Sequence, residues 1–252
     1  MSCVIGAPAT DNGKTTLALL ISCWALSKGL KLQTFKVGPD YLDQQQLSSI
    51  GHPVCRNLDI FLSGEDWIKK TFEKYSLESD LTLIEGAMGL FDGLGSTQHA
   101  STANIANVLN LPIIFIVDAK GQVASLLALI KGFRELNKNL EFKGLVFNNV
   151  NSERHKSLII EVFKNEGIKI IGFIPSDKKI TLRKGNLGLV SPNELVEKLD
   201  INYFASFAEK NLDITFLINS LKSKRRKLNL LTKESPFKVN KEIPIAIADD
   251  RI

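Results

Sequence analysis

The sequence predicts an α/β domain in which a mostly parallel sheet is covered by helices on both faces. Short, nearly continuous apolar runs alternate with longer amphipathic segments, a pattern typical of parallel strands that are buried on both sides. A glycine-rich segment follows the first apolar run directly, at the strand end where such sheets bind ligands. Hydrophobic residues make up 44% and charged residues 23% of the chain, which excludes a disordered or fibrous protein.

The elements follow from this alternation. Apolar runs predict strands at 2–6, 32–37, 81–85, 113–118, 144–148 and 168–173. Amphipathic stretches between the runs predict helices at 14–28, 65–75, 101–109, 123–136 and 153–165. Two further helices, at 192–199 and 203–221, are expected to close the domain.

The C-terminal residues differ in composition. Segment 222–242 carries eight basic and two acidic residues, so it accounts for the whole net charge of +5. We expect a domain at 1–221, a solvated basic linker at 222–242 and, at 243–252, the first strand of a further domain that is missing. Because the charge is confined to the linker, a nucleic-acid groove on the domain is not predicted.

The sequence also bears on the compartment. The apolar run at 113–117 is far too short to cross a membrane, and the first five residues carry no basic region typical of a signal peptide. The three cysteines, Cys3, Cys23 and Cys55, form no CxxC pair and favour a reducing environment. We therefore expect a cytoplasmic protein that contacts no membrane.

Residues 6–16 read Gly-Ala-Pro-Ala-Thr-Asp-Asn-Gly-Lys-Thr-Thr and join the first strand to the first helix. A phosphate-binding loop needs backbone N–H groups at a helix N-terminus, a lysine for the phosphates and a hydroxyl for Mg²⁺. The loop is a variant, because Pro8 stands where the strict motif has glycine. A chance Gly-Lys-Thr at a strand–helix turn is the alternative. We expect nucleotide binding by Asn12, Gly13, Lys14, Thr15 and Thr16.

A second cluster, Phe-Lys-Val-Gly-Pro-Asp-Tyr-Leu-Asp at 35–43, ends the second predicted strand. Lys36 is expected to reach phosphate, and Asp40 and Asp43 are expected in a loop that faces the same edge of the sheet. Carboxylates beside a nucleotide usually hold Mg²⁺ directly or through water. The alternative is a turn at Pro39 with a helix cap from Asp43.

A third cluster, Leu-Ile-Glu-Gly-Ala-Met-Gly-Leu-Phe-Asp-Gly at 83–93, ends the third predicted strand. A carboxylate at the end of a buried strand is costly unless it meets a metal or a cation, so Glu85 is a candidate Mg²⁺ ligand. The glycines allow a ligand to approach the backbone closely, and Asp92 stands where a second substrate could reach. A glycine-rich turn without a ligand is the alternative.

Together these motifs resemble the cobyrinic acid a,c-diamide synthase family, within the dethiobiotin-synthetase-like branch of P-loop NTPases. The resemblance runs from residue 4 to about residue 213. Beyond the phosphate loop it rests on the strings at 35–41, 57–59, 85–93, 95–97, 148–155, 172–175 and 187–190.

The resemblance implies an ATP-dependent amidoligase that acts on the a and c acetate carboxylates of cobyrinic or hydrogenobyrinic acid in cobalamin biosynthesis. In that family ATP phosphorylates a carboxylate, and ammonia then attacks the acyl phosphate. The ammonia comes from a C-terminal glutaminase domain, which is absent here apart from an apparent first strand at 243–249. The resemblance also suggests a homodimer.

Residue roles are carried over by motif. Lys14, Asp40, Asp43 and Glu85 are the implied catalytic residues, and Mg²⁺ is assigned to Thr15, Asp40 and Glu85. The corrinoid substrate is assigned to Tyr41, Leu42 and Asp92. Asn148, at the end of a strand, is expected either to read adenine or to form a strand-terminating turn.

Three other classes compete with this interpretation. A partition-type or septum-site P-loop ATPase shares the fold but carries a signature lysine where this chain has Ala9. A dethiobiotin synthetase needs no second domain, but the string at 88–92 disfavours it. A nickel-sirohydrochlorin diamide synthase has nearly the same motifs, and the sequence does not separate it.

Overall fold

The computed structural model of the chain describes residues 2–180 and 199–223. The predictions for 187–190, 192–198, 224–242 and 243–252 lie outside these residues. In the described part of the chain, strands and helices alternate as the sequence predicts. The strands are β1 (Cys3–Gly6), β2 (Leu32–Val37), β3 (Arg56–Leu58), β4 (Leu81–Glu85), β5 (Ile113–Asp118), β6 (Phe142–Asn148) and β7 (Lys169–Ile174). The helices are α1 (Lys14–Ser27), α2 (Tyr41–Ser48), α3 (Ile60–Ser76), α4 (Thr102–Leu109), α5 (Ala124–Leu136), α6 (Glu153–Phe163), α7 (Ile201–Asn211) and α8 (Ile214–Leu221).

All strand pairs of the sheet are parallel, and the strand order is β3-β2-β4-β1-β5-β6-β7. Side chains alternate between the two faces, because successive residues of a strand point in opposite directions. In β1, Cys3 and Ile5 pack into one hydrophobic cluster with α1, α7 and α8. Val4 packs into the other cluster, with α3, α4, α5 and α6. The predicted fold class, a parallel sheet with helices on both faces, is confirmed.

Successive strands are added on one side of β1 and then on its other side, which places a crevice at the carboxyl edge of the sheet. From β1 the chain crosses to β2 on one side, and after β4 it continues to β5 on the other side. Ligands of open α/β sheets bind at such a switch point. The segments that follow β1, β2 and β4 meet there, and they are the three clusters that the sequence singled out.

Two elements were not predicted. The prediction of a loop at 40–43 is wrong, because a helix begins there. Asp40 is the N-cap of α2 and accepts a hydrogen bond from the backbone N–H of Asp43. The cap is therefore Asp40 and not Asp43. Strand β3 is only three residues long, and it forms at the edge of the sheet by pairing with β2, where Lys36 faces Asn57. Neither α2 nor β3 has an apolar pattern from which a helix or a strand could be predicted.

The helix expected at 203–221 is divided into α7 and α8. The break lies at Leu212 and Asp213, where Asp213 donates its backbone N–H to the carbonyl of Ile171 in β7 over 2.7 Å. The Asp213 carboxylate then caps α8 by accepting from Phe216 N at 3.0 Å. A contact with the sheet thus overrides local helix propensity. None of the helices in the described ranges is long and apolar enough to cross a membrane.

Candidate functional site

The phosphate loop joins β1 to α1 and ends at Gly13, the N-cap residue of α1. Gly13 has a φ of 106°, a conformation that favours glycine, and a Cβ there would lie 2.6 Å from Nδ2 of Asn148, so a larger residue would also displace the Asn148 amide. No side chain caps the first turn of α1. The helix N-terminus therefore keeps its N–H groups available to an anion.

Lys14 spans the mouth of this loop. Its side chain is buried, and its Nζ donates to the carbonyls of Ala9, at 3.0 Å, and Met88, at 2.6 Å. Burial, followed by the nearby ammonium of Lys36, lowers the pKa of Lys14 to about 8. The lysine thus links the phosphate loop to the segment after β4.

Thr15 and Glu85 form the centre of the predicted magnesium site. The hydroxyl of Thr15 donates to Oε1 of Glu85 over 2.6 Å and lies 3.5 Å from Oδ2 of Asp43. Among the described residues, Oε2 of Glu85 has no hydrogen-bond partner although it is buried. A buried, unpartnered carboxylate oxygen beside a threonine hydroxyl is a donor set that suits Mg²⁺.

Lys36 is buried among the carboxylates of the site. Lys36 and Glu85 are opposite each other in β2 and β4, which places both side chains on the α1 face of the sheet. The Nζ of Lys36 lies 2.5 Å from Asp43, 3.1 Å from Glu85 and 3.6 Å from Asp40. Burial alone would lower the pKa of Lys36, but the charges of Glu85 and Asp43 outweigh it and raise that pKa.

The structure adds carboxylate partners that the sequence did not assign to Lys36, and its contact with phosphate stays a prediction. In the structure its ammonium neutralises the carboxylates proposed for Mg²⁺. In the described part of the chain, no group of three or more histidine, cysteine, aspartate and glutamate residues is arranged to hold a metal. The set assigned to the metal has two carboxylates, from Asp40 and Glu85, and the hydroxyl of Thr15. Coordination by this set stays a prediction.

Two asparagines brace the phosphate loop. Asn12 accepts the backbone N–H of Asp118 at 2.9 Å, while Asn148 donates to the carbonyl of Asn12 at 3.1 Å. The side-chain oxygen of Asn148 also accepts the N–H of the next residue, Asn149. Thr16 is half-buried in the first turn of α1. Adenine recognition by Asn148 stays a prediction.

The segment after β4 packs directly on the phosphate loop. A Cβ at Gly89 would lie 2.6 Å from the carbonyl of Pro8, and Leu90 donates its N–H to the carbonyl of Ala7 over 2.8 Å. Asp92 accepts the N–H of Gly89 at 3.0 Å, so its carboxylate holds the turn together. Both loops therefore form one continuous wall of the crevice.

The residues assigned to the substrate lie around this wall. Tyr41 begins α2 and is 61% exposed, whereas the adjacent Leu42 is half-buried. Asp92 is exposed in the turn after β4. No role was predicted for Met88, although it lies in the string at 83–93. Its φ of 51° is a backbone conformation that a residue pattern does not show.

All three cysteines are buried and free. Burial raises the pKa of Cys3, Cys23 and Cys55 to about 12 in each case. A nucleophilic cysteine needs a thiolate near neutral pH, so these side chains are structural thiols.

The loop, the lysine at the helix start and the acidic end of β4 define a P-loop nucleotide-binding protein. The chain belongs to the CobQ/CobB/MinD/ParA nucleotide-binding domain family, whose sequence profile matches residues 3–187. Solved structures agree on the fold. The chloroplast FtsY of Physcomitrella patens matches with a TM-score of 0.52 at 10% identity, over 79% of this chain and 65% of that one. The signal recognition particle receptor FtsY of Elizabethkingia anophelis matches with a TM-score of 0.51 at 12% identity, over 78% and 62%.

The chain is also similar to curated cobyrinate a,c-diamide synthases, which confirms the resemblance in its motifs. It is 35% identical to that of Gloeobacter violaceus over 84% of this chain and 48% of the relative. It is 36% identical to that of Caldanaerobacter subterraneus subsp. tengcongensis over 98% of this chain and 54% of the relative. The chain thus spans about half the length of these curated relatives.

Proposed function

We propose that this chain is the ATP-dependent synthetase portion of an amidoligase that acts on the a and c acetate carboxylates of cobyrinic or hydrogenobyrinic acid. The observation that carries the proposal is the Thr15–Glu85 contact of 2.6 Å, which joins the phosphate loop to an acidic strand end beside two buried lysines. Similarity to cobyrinate a,c-diamide synthases over most of the chain supports the choice of substrate.

Each part of the site has a task in this proposal. The N-terminus of α1 and Lys14 bind the β- and γ-phosphates of ATP. Thr15 and Glu85, with Asp40, would hold Mg²⁺, which when bound neutralises phosphate charge and aligns the γ-phosphoryl group. Asp43 would keep Lys36 in position, 2.5 Å from its own carboxylate.

The proposed phosphoryl transfer needs cations to stabilise negative charge. It needs no strong base, because the attacking carboxylate is already deprotonated. An oxygen of the substrate carboxylate attacks the γ-phosphorus, the bond to the β-phosphate oxygen breaks, and ADP leaves. Ammonia then attacks the acyl carbon, inorganic phosphate leaves, and the nitrogen loses a proton to solvent. Lys14 and Lys36 would stabilise the negative charge that shifts between oxygens during the first step.

The proposal extends to partners and location. Ammonia would be supplied by a glutaminase domain like that of the longer family members, and two copies of the chain would form a homodimer. The protein would work in the cytoplasm without contact to membranes or nucleic acid.

The test is amidation by the purified chain. We expect ADP release that depends on cobyrinic acid when Mg²⁺, ATP and ammonium chloride are present, with mono- and diamides detected by mass spectrometry. Nickel-sirohydrochlorin and the diamino acid precursor of dethiobiotin serve as competing acceptors, and Lys14→Ala, which removes the phosphate-binding charge, is the inactive control. Amidation of nickel-sirohydrochlorin alone would reassign the substrate. ATP hydrolysis that ignores every acceptor would favour a partition-type ATPase.

A further inference from the structure

Met88 has a backbone conformation that side chains rarely adopt. Its φ is 51°, in the left-handed region, where the Cβ of a non-glycine residue crowds the following carbonyl. The segment already contains glycine at positions 86 and 89. Glycine at position 88 would adopt the same conformation without a penalty. A methionine held here suggests that the side chain itself is needed.

The conformation is imposed by contacts on both sides of Met88. The hydroxyl of Thr102 bonds both the N–H and the carbonyl of Ala87, each at 3.0 Å. Lys14 holds the carbonyl of Met88 at 2.6 Å, and Leu90 donates to the carbonyl of Ala7. A strained residue that its surroundings fix in this way is characteristic of ligand-binding sites.

The side chain stays in solvent although its backbone is anchored. Met88 is 53% exposed, whereas Leu90, two residues on, is fully buried. Tyr41, which follows Asp40 in the acidic cluster, is 61% exposed. Two large and partly apolar side chains thus adjoin the site that contains Lys14 and Lys36. A broad ligand with an apolar face and a reacting carboxylate fits this combination, because its face could cover Met88 and Tyr41 while the carboxylate reaches the phosphate loop.

We propose that Met88 is a positioning residue for the corrinoid macrocycle, and this inference rests on the proposed function. Its thioether chain packs against the face of the macrocycle, and the anchored backbone keeps that contact at a fixed place relative to Lys14. The contact is the same before and after phosphoryl transfer, so it contributes to substrate binding more than to the chemical step.

The test compares substrate binding with the chemical step in the variant Met88→Gly, through its KM and its kcat. Glycine relieves the backbone strain and removes the side chain, so we expect an unchanged or higher melting temperature and ADP affinity within about twofold. The KM for cobyrinic acid should rise at least about tenfold, as expected for loss of an apolar side chain that the bound substrate would bury, with kcat within about threefold. Met88→Leu should restore the KM to within about threefold, because leucine keeps an apolar side chain of similar volume.

Asn110→Gly is the matched control. Asn110 has nearly the same φ, 50°, at the C-terminal end of α4, so this variant relieves the same kind of strain away from the crevice. Equilibrium dialysis of cobyrinic acid against the protein with Mg²⁺ and ADP measures affinity without turnover. An unchanged KM and an unchanged dialysis constant in Met88→Gly would overturn the role of Met88 while leaving the proposed function intact. If the unsubstituted chain neither binds nor amidates cobyrinic acid, the proposed function fails, and the role of Met88 fails with it.

Discussion

The ammonium group of Lys36 lies 2.5 Å from the carboxylate of Asp43, inside a cluster that also contains Glu85. Lys36 is 2% exposed and Glu85 is 1% exposed, so each charge depends on the other for compensation. The pairing follows from the parallel register of β2 and β4, which places the two residues opposite each other. A divalent cation that binds Glu85 would therefore take over part of the role of Lys36.

Replacement of this lysine should destabilise the protein, and Mg²⁺ should restore part of the lost stability. Lys36→Met leaves the buried carboxylate of Glu85 without its cation, and we expect a loss of roughly 3–5 kcal/mol in the free energy of unfolding. Urea unfolding at low and high Mg²⁺ measures the loss and its partial recovery. Lys69→Met, which removes an exposed pair with Glu65, is the control and should cost less than about 0.5 kcal/mol. A Lys36→Met protein as stable as the parent without Mg²⁺ would contradict the proposed charge balance.

The sequence predicts elements that have a local apolar pattern and misses elements that depend on contacts between distant segments. The strand at 113–118 is predicted with its observed bounds, because an uninterrupted apolar run has no other place than the core. Helix α2 was missed, since its run of glutamines at 44–46 gives no apolar stripe. Strand β3 owes its existence to pairing with β2, which no local pattern encodes.

The site divides in a similar way. Gly13, Lys14 and Thr15 belong to one local motif, and the structure places them at the start of α1 as expected. The pairing of Lys36 with Glu85 depends on β2 and β4 being neighbours, although 49 positions separate these residues in the sequence. Motifs predicted which residues gather at the crevice, whereas the partner of each charge required the sheet order.

Nucleotide affinity should depend on pH through Lys14. Because burial and Lys36 lower its pKa to about 8, the free protein loses this charge as pH rises through 8, whereas bound phosphate favours the charged form. Linkage then predicts that ADP affinity falls above pH 8, approaching tenfold per pH unit. Titration calorimetry between pH 7 and about pH 9.5 measures the slope. Lys14→Arg, which stays charged throughout, should bind ADP with little dependence on pH, and an equal slope in both proteins would exclude Lys14 as its source.

Glu85→Gln should impair ATP turnover while keeping the volume of the side chain. The amide is a weaker ligand for Mg²⁺ than a carboxylate, so we expect turnover to fall by roughly a hundredfold or more. Mn²⁺ should restore part of the rate, because it binds the remaining ligands more tightly. Glu153→Gln, which changes an exposed carboxylate at the start of α6, is the matched control for the charge change. A normal rate with a normal Mg²⁺ requirement in Glu85→Gln would make Glu85 a structural residue.

The last prediction separates the two half-reactions of glutamine-dependent amidation. The 252-residue chain keeps every residue assigned to ATP, metal and substrate. Cleavage of glutamine by a cysteine enzyme needs a thiolate beside a base and an oxyanion hole. Cys3, Cys23 and Cys55 are buried, and their pKa values of about 12 keep them protonated. We therefore expect no amide product and no glutamate when glutamine is the only nitrogen source.

Ammonium salts should bypass this requirement, because amination needs only an unprotonated nitrogen beside the activated carboxyl group. At saturating Mg²⁺ and ATP, the amidation rate should rise with pH towards the pKa of ammonium, since the fraction of free ammonia rises. Saturating nucleotide is essential, because the loss of charge at Lys14 above pH 8 weakens ATP binding in the same range. Product from glutamine, in a preparation in which serine replaces all three cysteines, would reveal a different nucleophile. Lack of product from ammonium where ATP binds would show that residues beyond this chain complete the synthetase site.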